Sequence, residues 1–325
     1  MEIRRYRLRL DSSVPFGTPP TSGSLFGMLC WAFRAKHGRD ALRVFLRRLP
    51  EEPFLLSDFL PADHLPRPLL PAPRGGALET KPEIAKPLKR RRFLPLSGWR
   101  GLRAGANAAA LKKCFENSRE NNIAPDPPFL AHARAPHNRI DRVSGKTPEA
   151  GGGGLWFADE LWPRAGDEKH TRPILADLYV RTAIPADHVE SLLAAIGMQG
   201  FGRDATYGRG RFALEGGEPM GWLLDAPKAG SPRMLSLSQG VITPNMEAPR
   251  WRRFVLFGKL GREMVAEGRR PWKLPLVLAE SGCTFTARGA GPFGAWLTGL
   301  HQDDDPNDPV GHNGFHLAIP YAEAV

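Results

Sequence analysis

Two segments with the same order of predicted elements, separated by a long irregular stretch, constrain the fold of this 325-residue chain more than any other feature. Apolar and basic residues alternate over Ile3–Leu10, which predicts a strand with one buried face, and a helix follows over about Ser22–His37. In the second segment, strict alternation over Ile174–Ile184 predicts a strand, Asp187–Ile196 a capped helix and Arg211–Leu214 a short strand. Two such halves predict an α+β, ferredoxin-like (RRM-like) fold, an antiparallel sheet with both helices on one face.

The rest of the chain is interpreted as insertions followed by a second unit. A short helix is predicted at Ala41–Leu49, followed by a proline-dense stretch from Pro50 to Pro95. The seven prolines between Pro61 and Pro87 are too many for regular structure there. Residues 100–170 are loop-like around a helix at Ala108–Asn117, so an insertion at about 50–170 is expected to keep its shape by binding something else. The predicted domains are 1–215 and a smaller, mostly β domain at 216–325 with little helix. Its predicted strands are Met234–Ile242, Phe254–Lys259, Leu276–Leu278, Thr284–Ala287 and His316–Pro320.

Charge gives the first indication of function. The chain carries a net charge of +11 with a pI near 9.9. Residues 1–150 contain 27 basic and 14 acidic residues, against 18 and 20 in the remainder. A concentrated positive charge attracts polyanions such as nucleic acid, the alternative being a surface tuned for solubility. Arg5, Arg7 and Arg9 share one strand face, which is interpreted as plain or phosphate-facing surface.

The same sequence excludes several other classes of protein. No apolar run approaches the ~18 residues of a membrane span, and the N-terminus has no apolar signal core, so a cytoplasmic protein without a membrane partner is expected. The three cysteines, Cys30, Cys114 and Cys283, cannot form a disulfide framework or a four-thiolate zinc site.

Catalytic and metal-binding motifs are missing as well. His-Glu-x-x-His, Cys-x-x-Cys, Gly-x-Ser-x-Gly and the phosphate-loop signature do not occur. His312 and His316 are separated by a glycine that argues against a shared helix, and the acidic run at 303–308 is interpreted as a solvated turn rather than a calcium loop. We therefore predict no catalytic residue, no metal and no cofactor. His37 remains a candidate general base, although a surface role at a helix end is favoured.

The strongest binding signal is the segment Gly200–Phe212, called the Gly-rich loop below. Glycines let backbone N–H groups approach a phosphate, while arginines add charge and bidentate hydrogen bonds. Phe201 and Tyr207 are candidates for stacking on bases. The alternative is a flexible hairpin with incidental arginines. The candidate RNA-binding residues in this loop are Gly200, Gly202, Arg203, Tyr207, Gly208, Arg209, Gly210 and Arg211.

Two further basic segments are candidate RNA contacts. The first is the cationic run Lys89, Arg90, Arg91 and Arg92, which is interpreted as a solvated face or a phosphate contact. The second is residues 137–146, in which polar and apolar residues alternate before a predicted turn. It is predicted to form one arm of a projecting hairpin, with Arg139 and Arg142 at the base and Asn138 beside them.

Several segments, in order, resemble the RAMP superfamily, and more narrowly the fourth Csm subunit of type III-A CRISPR effector complexes. The matching segments are residues 22–31, 53–58, 65–68, 138–145, the Gly-rich loop and Gly311-His312-Asn313-Gly314-Phe315, which together span nearly the whole chain. The usual polar start of the first helix is here Thr21-Ser22-Gly23-Ser24, which adds Ser22 and Ser24 to the expected RNA contacts.

The resemblance implies a non-catalytic subunit that binds and caps the 5′ handle of the crRNA through the Gly-rich loop. A thumb near residues 138–146 would press against the guide where the RNA-binding backbone RAMP subunits begin. The large polymerase-like subunit would be a second partner. The alternatives are a metal-independent RAMP endoribonuclease that processes precursor crRNA with His37 as acid/base, and an interaction scaffold that does not touch RNA.

Overall fold

The computed structural model of the protein describes residues 1–71, 82–117, 122–127, 129–147, 154–164, 173–227, 230–302, 304 and 310–324. Helices and strands are mixed along the chain, which confirms the α+β class. The helices are α1 Ser22–His37, α2 Arg39–Arg48, α3 Pro82–Arg90, α4 Leu96–Leu102, α5 Ala108–Lys113, α6 Ala186–Gln199 and α7 Arg262–Ala266.

The strands form one large sheet, a second sheet and several short pairs. In chain order they are β1 Ile3–Leu10, β2 Leu55–Leu56, β3 Leu60–Pro61, β4 His64–Pro66, β5 Phe93–Pro95, β6 Glu116–Asn117, β7 Asn122–Ile123, β8 Leu130–Asn138, β9 Leu155–Pro163, β10 Ile174–Arg181, β11 Phe212–Pro219, β12 Ser231–Ser236, β13 Met246–Arg250, β14 Arg253–Leu256, β15 Leu276–Ala279, β16 Thr284–Ala287, β17 Trp296–Leu297, β18 His312–Asn313 and β19 Ala318–Glu323.

The main sheet has the order β11-β1-β10-β2, with β3 continuing along β10, and the pairs are antiparallel. Tyr6, Leu8 and Leu10 of β1 are buried because the apolar residues of this alternating strand share one face. Helix α6 lies so close to β11 that a Cβ at Gly197 would be 2.2 Å from the carbonyl oxygen of Phe212. The strands and helices predicted for 3–37 and 174–214 are therefore present, with limits that differ by a few residues.

The second sheet has the antiparallel order β13-β16-β12-β19, and β14 pairs with β15 in a separate two-stranded ribbon. Strand β13 is missing from the sequence-based prediction, because Pro249 argues against a strand interior. The largest apolar core runs from the main sheet into this part of the chain, since Leu235, Leu317 and Tyr321 belong to the same buried cluster as Leu8. Because this core includes residues from both predicted domains, the domain limits 1–215 and 216–325 remain a prediction.

The expectation that the proline-rich stretch lacks regular structure is wrong. Helix α3 begins at Pro82, a position that needs no N–H donor, and continues through Pro87. Further along, Trp99 and Phe115 are buried in the main core, and Trp99 packs against Tyr321 with ring centroids 5.9 Å apart. These parts of the insertion are therefore held by the protein's own core. None of the helices among the described residues is both long and apolar enough to span a bilayer.

Candidate nucleic-acid interface

The Gly-rich loop is folded tightly onto itself and onto the loop that precedes α1. Gly200, Gly202, Gly208 and Gly210 all have positive φ, between +67° and +93°. A Cβ at Gly200 would be 2.3 Å from the carbonyl oxygen of Arg209, and one at Gly202 would be 2.6 Å from the Cβ of Thr18. The conformation of the loop itself therefore explains why these positions are glycine.

Most backbone N–H groups of the Gly-rich loop, which were expected to bind phosphate, already donate hydrogen bonds within the chain. The N–H of Phe201 donates to Gly210 O (3.1 Å), that of Gly210 to Pro15 O (2.9 Å) and that of Arg203 to Thr18 Oγ1 (2.9 Å). Tyr207 and Gly208 donate to carbonyls inside the loop. This corrects the expectation of a backbone cradle, and it leaves side chains as the main ligand-facing groups of the loop.

The three arginines of the loop have different environments. Arg209 is largely buried, with Nη2 2.6 Å from Glu160 Oε1 and Nη1 3.3 Å from Asp204 Oδ2. Arg203 keeps 44% of its side chain exposed, although its Nε lies 3.3 Å from Asp204 Oδ2 and its Nη2 donates to Asp159 O (2.8 Å). Arg211 is exposed. Arg203 and Arg211 can therefore meet a phosphate, whereas Arg209 holds the loop in place.

The two aromatic residues of the loop also differ. Tyr207 is 84% exposed, so its ring is open to a base. Phe201 is fully buried and packs with Phe16 and Phe59, at centroid distances of 6.1 and 6.3 Å. The expectation that Phe201 stacks on bases is therefore wrong, because its ring belongs to the core beneath the loop.

A long β-hairpin, formed by β8 and β9, projects beside the Gly-rich loop. Nine residue pairs connect its strands, from Leu130–Pro163 to Asn138–Leu155, and Phe16 bridges to Leu161 near the base. Arg139 and Arg142 follow β8 at the tip, which corrects their predicted place at the base. In the turn, Asp141 Oδ1 accepts hydrogen bonds from the backbone N–H groups of Ser144 and Val143. These bonds, that of Ser144 first, lower the pKa of Asp141.

The hairpin carries exposed aromatic residues that sequence reasoning missed. Trp156 is 46% and Phe157 56% exposed, and Trp156 stacks on His137 with ring centroids 5.6 Å apart. The register puts His137, Trp156 and Glu160 on one face of the hairpin and Phe157 on the other. The available signal was the apolar run Leu155-Trp156-Phe157 directly after a glycine tract.

Glu160 connects the hairpin to the Gly-rich loop. It is 2% exposed, receives the Arg209 ion pair, and accepts a hydrogen bond from Trp162 Nε1 (3.0 Å). His137 Nε2 lies 3.8 Å from the same carboxylate. The loop and the hairpin face that bears Trp156 are thus fixed relative to each other, and together they form the candidate interface.

The cationic run at 89–92 is divided by the fold. Lys89 and Arg90 end α3 and are exposed, as is Arg92. Arg91 is 4% exposed. Its Nη1 donates to Ala124 O (3.0 Å), and its guanidinium lies 4.7 Å from the ring centroid of Phe115. The expectation that Arg91 binds RNA is therefore corrected, because this arginine is an internal packing residue.

Ser22 likewise has a structural role. It is 2% exposed, its N–H donates to Asp58 Oδ1 (2.8 Å), and its hydroxyl accepts from the N–H of Gln239 (3.1 Å). This corrects its expected RNA contact, since the side chain joins the start of α1 to the second half of the chain. Ser24 is half-buried and receives a hydrogen bond from the hydroxyl of Thr21 (3.2 Å).

The arginine face of β1 is occupied by carboxylates. Asp177 lies 2.8 Å from Arg7 and 3.3 Å from Arg5, and Asp63 contacts both arginines. Arg9 pairs with Glu215 at 3.0 Å. Neither phosphate nor bulk solvent is needed to separate these arginines, so this face is not part of the candidate interface.

Histidine and acidic residues show no catalytic or metal-binding arrangement in the described ranges. The ring of His37 lies against Phe33, at a centroid distance of 4.5 Å, and 6.4 Å from that of His188. No three His, Cys, Asp or Glu side chains come together as metal ligands among the described residues. Most of the acidic run at 303–308 lies outside the described residues.

The whole fold is similar to solved structures of CRISPR–Cas proteins. No protein-family model and no curated protein matches the chain. A chain in the crystal structure of a Csm1-Csm4 cassette in complex with cA4 superposes with a TM-score of 0.58 at 17% identity, and one in the complex with pppApA with 0.57 at 18%. A chain of the Csm3-Csm4 subcomplex of the type III-A interference complex gives 0.56 at 13%.

Each of these similarities covers 99% of this chain and 99% of the other. Csm4 is the subunit that the cassette and the subcomplex have in common. Over its full length, the chain therefore has the fold of the Csm4 subunit of type III-A CRISPR–Cas complexes.

Proposed function

We propose that this protein is a non-catalytic subunit of a type III-A CRISPR effector complex and that it binds and caps the 5′ handle of the crRNA. The strand order of the main sheet supports a ferredoxin-like RAMP assignment. Two β-α-β halves, β1-α1-β2 and β10-α6-β11, interleave as β11-β1-β10-β2. The Csm4-like fold supports membership of the complex.

One observation carries the RNA-binding proposal. Arg209 and Glu160 fix the Gly-rich loop against the hairpin, so that the side chains of Arg203, Tyr207 and Arg211 stand at the surface of a rigid platform. Guanidinium groups bind phosphates bidentately, and an exposed tyrosine ring stacks on an unpaired base. This combination suits a single-stranded RNA end, with Trp156 extending the same surface along the hairpin.

The proposed partners follow from the solved complexes that share the fold. Csm1 accompanies Csm4 in the cassette, and Csm3 accompanies it in the subcomplex. We infer that this chain anchors the large subunit and adjoins the backbone subunits in a cytoplasmic ribonucleoprotein that supports RNA-guided antiviral defence.

The direct test is fluorescence anisotropy with labelled 5′-handle RNA. The double change Arg203→Ala and Arg211→Ala should weaken binding by roughly 1–3 kcal/mol for each guanidinium–phosphate hydrogen bond that it removes. Tyr207→Ala should reduce the binding free energy by about 1–3 kcal/mol, the typical loss when one base–aromatic stack is removed. Arg288→Ala is the matched control, because Arg288 is 76% exposed and directly follows β16 of the second sheet.

Equal affinities of the double variant and the Arg288 control would contradict the assignment of the interface. The absence of any salt-dependent retention of RNA would favour the interaction scaffold that does not touch RNA. Cleavage of precursor crRNA that disappears on His37→Ala would replace the proposal with the endoribonuclease alternative. No contact of His37 favours that alternative, because its ring packs on Phe33 and no carboxylate is paired with it in the described contacts.

A further inference from the structure

The ribbon formed by β14 and β15 has one face packed on the protein and one face in water. Leu256 and Leu276 pair directly on the inner face, where Leu276 packs against a small core around Leu260. At the end of β15, Ala279 exchanges two backbone hydrogen bonds with Gly240, of 3.1 and 2.7 Å. The ribbon is therefore fixed by its inner face and its end, and its outer face takes no part in the core.

The outer face carries a contiguous group of apolar side chains. Val255 pairs with Val277, and Phe257 follows two residues later on the same face of the ribbon. Trp272 continues this face, because it bridges to Lys259, the next outward residue after Phe257. Phe257 is 66%, Trp272 56% and Val277 53% exposed. Val255, Phe257, Trp272 and Val277 are called the ribbon stripe below.

Exposed apolar residues are concentrated in two parts of the described chain. Of the sixteen large apolar side chains that are exposed there, seven lie between residues 251 and 277 and five belong to the β8–β9 hairpin and its turn. The hairpin group adjoins the proposed RNA interface, whereas the ribbon stripe takes no part in it. The two rings of the ribbon stripe alone expose roughly 200 Å². Single exposed apolar residues are normal, but a contiguous group of this kind indicates a contact with another molecule.

Both ends of the ribbon stripe are cationic. Arg252 and Arg253 are exposed at one end, and neither pairs with a carboxylate among the described contacts. Lys259 and Arg270 are exposed at the other end. Residues 251–280 contain seven Lys or Arg and three Glu. Exposed cations around an apolar centre attract a surface that carries carboxylates.

These features favour a protein partner over other molecules that an apolar and basic surface can bind. Single-stranded RNA requires open ring faces, but the ammonium of Lys259 lies 4.2 Å from the ring centroid of Trp272. Val255 and Val277 have no ring on which a base could stack. A second copy of this chain would bring cations against cations, because both ends of the ribbon stripe are basic. A protein face with an apolar centre and an acidic border fits both the stripe and its ends.

We propose that the ribbon stripe is the docking surface for the large polymerase-like subunit, whose matching face would be apolar at its centre and acidic at its border. The identity of this partner rests on the proposed function. A backbone subunit would meet the chain where the guide leaves the hairpin, which leaves the ribbon for the large subunit. Standard protein interfaces bury roughly 800 Å² on each partner and have aromatic and arginine residues at their centre. The ribbon stripe and its arginines supply such a centre.

The test is the affinity of the purified full chain for the large subunit of the same complex, measured by biolayer interferometry. Phe257→Asp should weaken binding at least tenfold, because it introduces a charge at the apolar centre of the contact. Arg253→Glu should also weaken binding at least tenfold, since it faces the partner's carboxylates with a like charge. Arg253→Lys keeps the positive charge and should weaken binding by less.

The chain offers a matched control for each kind of change. Phe157→Asp removes a ring of similar exposure from the hairpin, and Arg288→Glu reverses an exposed charge beside the second sheet. Both controls should bind the large subunit like the unsubstituted chain. Retained binding of handle RNA and an unchanged thermal transition verify that the ribbon variants are folded.

The outcomes separate this inference from the proposed function. If the ribbon variants bind the large subunit like their controls, the docking assignment is overturned and the proposed function stands. If the unsubstituted chain does not bind the large subunit, the proposed partnership fails and the inference fails with it. Phe257→Asp could instead abolish self-association, salt-sensitive RNA binding or binding to anionic vesicles while the large subunit still binds. That result would overturn the inference and assign the ribbon stripe to the molecule that is lost.

Discussion

Gly208 and Gly210 both adopt positive φ, +83° and +67°, but their surroundings differ. A Cβ at Gly208 would approach nothing closer than 3.5 Å, whereas one at Gly210 would be 2.4 Å from the carbonyl oxygen of Phe201. Gly208→Ala should therefore cost only the strain of the left-handed conformation, about 1–2 kcal/mol. Gly210→Ala should cost at least about 2 kcal/mol more, because the loop closure must shift. Urea unfolding of the two variants measures the difference, and equal losses of stability would contradict the closed loop.

Arg91 and Arg92 are adjacent in sequence but have opposite environments. Arg91→Ala removes a buried guanidinium that bonds Ala124 O and Phe93 O and lies 3.4 Å from Asp126, so a decrease of about 2–3 kcal/mol in unfolding free energy is expected. Arg92→Ala should leave stability unchanged. It should reduce the salt slope of RNA binding by about 0.7 if Arg92 contacts a phosphate. Reversed effects in denaturation and salt-titration experiments would refute the division of the cationic run.

At the scale of elements, the β8–β9 hairpin has one face fixed to the Gly-rich loop and one turned away. Trp156 lies on the first face and Phe157 on the second, and both are about half exposed. Trp156→Ala should weaken handle binding by about 1–3 kcal/mol, while Phe157→Ala, which removes a similar exposed ring, should not. Competition binding with unlabelled RNA distinguishes them. A larger effect of Phe157 would assign the RNA to the opposite face of the hairpin.

Elements were predictable where burial follows a regular period. Strand β1 and helix α1 have the predicted limits, because one face of each is apolar and the other is not. Strand β8 lacks large apolar residues on one face, since small alanines alternate with His132, Arg134 and Pro136. The predicted hairpin arm, residues 137–146, therefore lies nearer the tip than the strand that the structure contains. The burial of Arg91 depends on Asp126, 35 residues away, and no local pattern reveals such a contact.

At the scale of the molecule, the core joins parts of the chain that sequence reasoning treated as separate units. Asp58 illustrates this, because its carboxylate accepts hydrogen bonds from Ser22 at the start of α1 and from Gln239 in the second half. Burial raises the pKa of Asp58, and the bond from Ser22 lowers it. Sequence periodicity identifies elements one at a time, so it could not reveal a core that extends across the predicted domain limit. Stability is consequently expected to be a property of the whole chain.

Two buried histidines make that stability dependent on pH. His316 is 1% exposed, and its Nε2 lies 3.1 Å from Val241 O and its Nδ1 2.7 Å from Ser236 Oγ. Burial lowers the pKa of His316 to about 4 and that of His312 to about 3. In the unfolded chain both titrate near 6.5. Protons therefore bind preferentially to the unfolded state below pH 6.5, and the free energy of unfolding should fall by roughly 1–2 kcal/mol per histidine between pH 7 and pH 5.

Urea unfolding at pH 7 and pH 5 measures this decrease, and substitutions assign it. His316→Gln should remove about half of the pH-dependent difference, whatever it does to the stability at pH 7. His188→Gln should leave the difference intact, because His188 is exposed on α6. Asp58 acts in the opposite direction. Because folding raises its pKa, its contribution to the free energy of unfolding increases as the pH falls. The comparison between each variant and the unsubstituted chain cancels that contribution. If the His316 variant keeps the full difference, the neutral buried ring is not the source of the acid sensitivity.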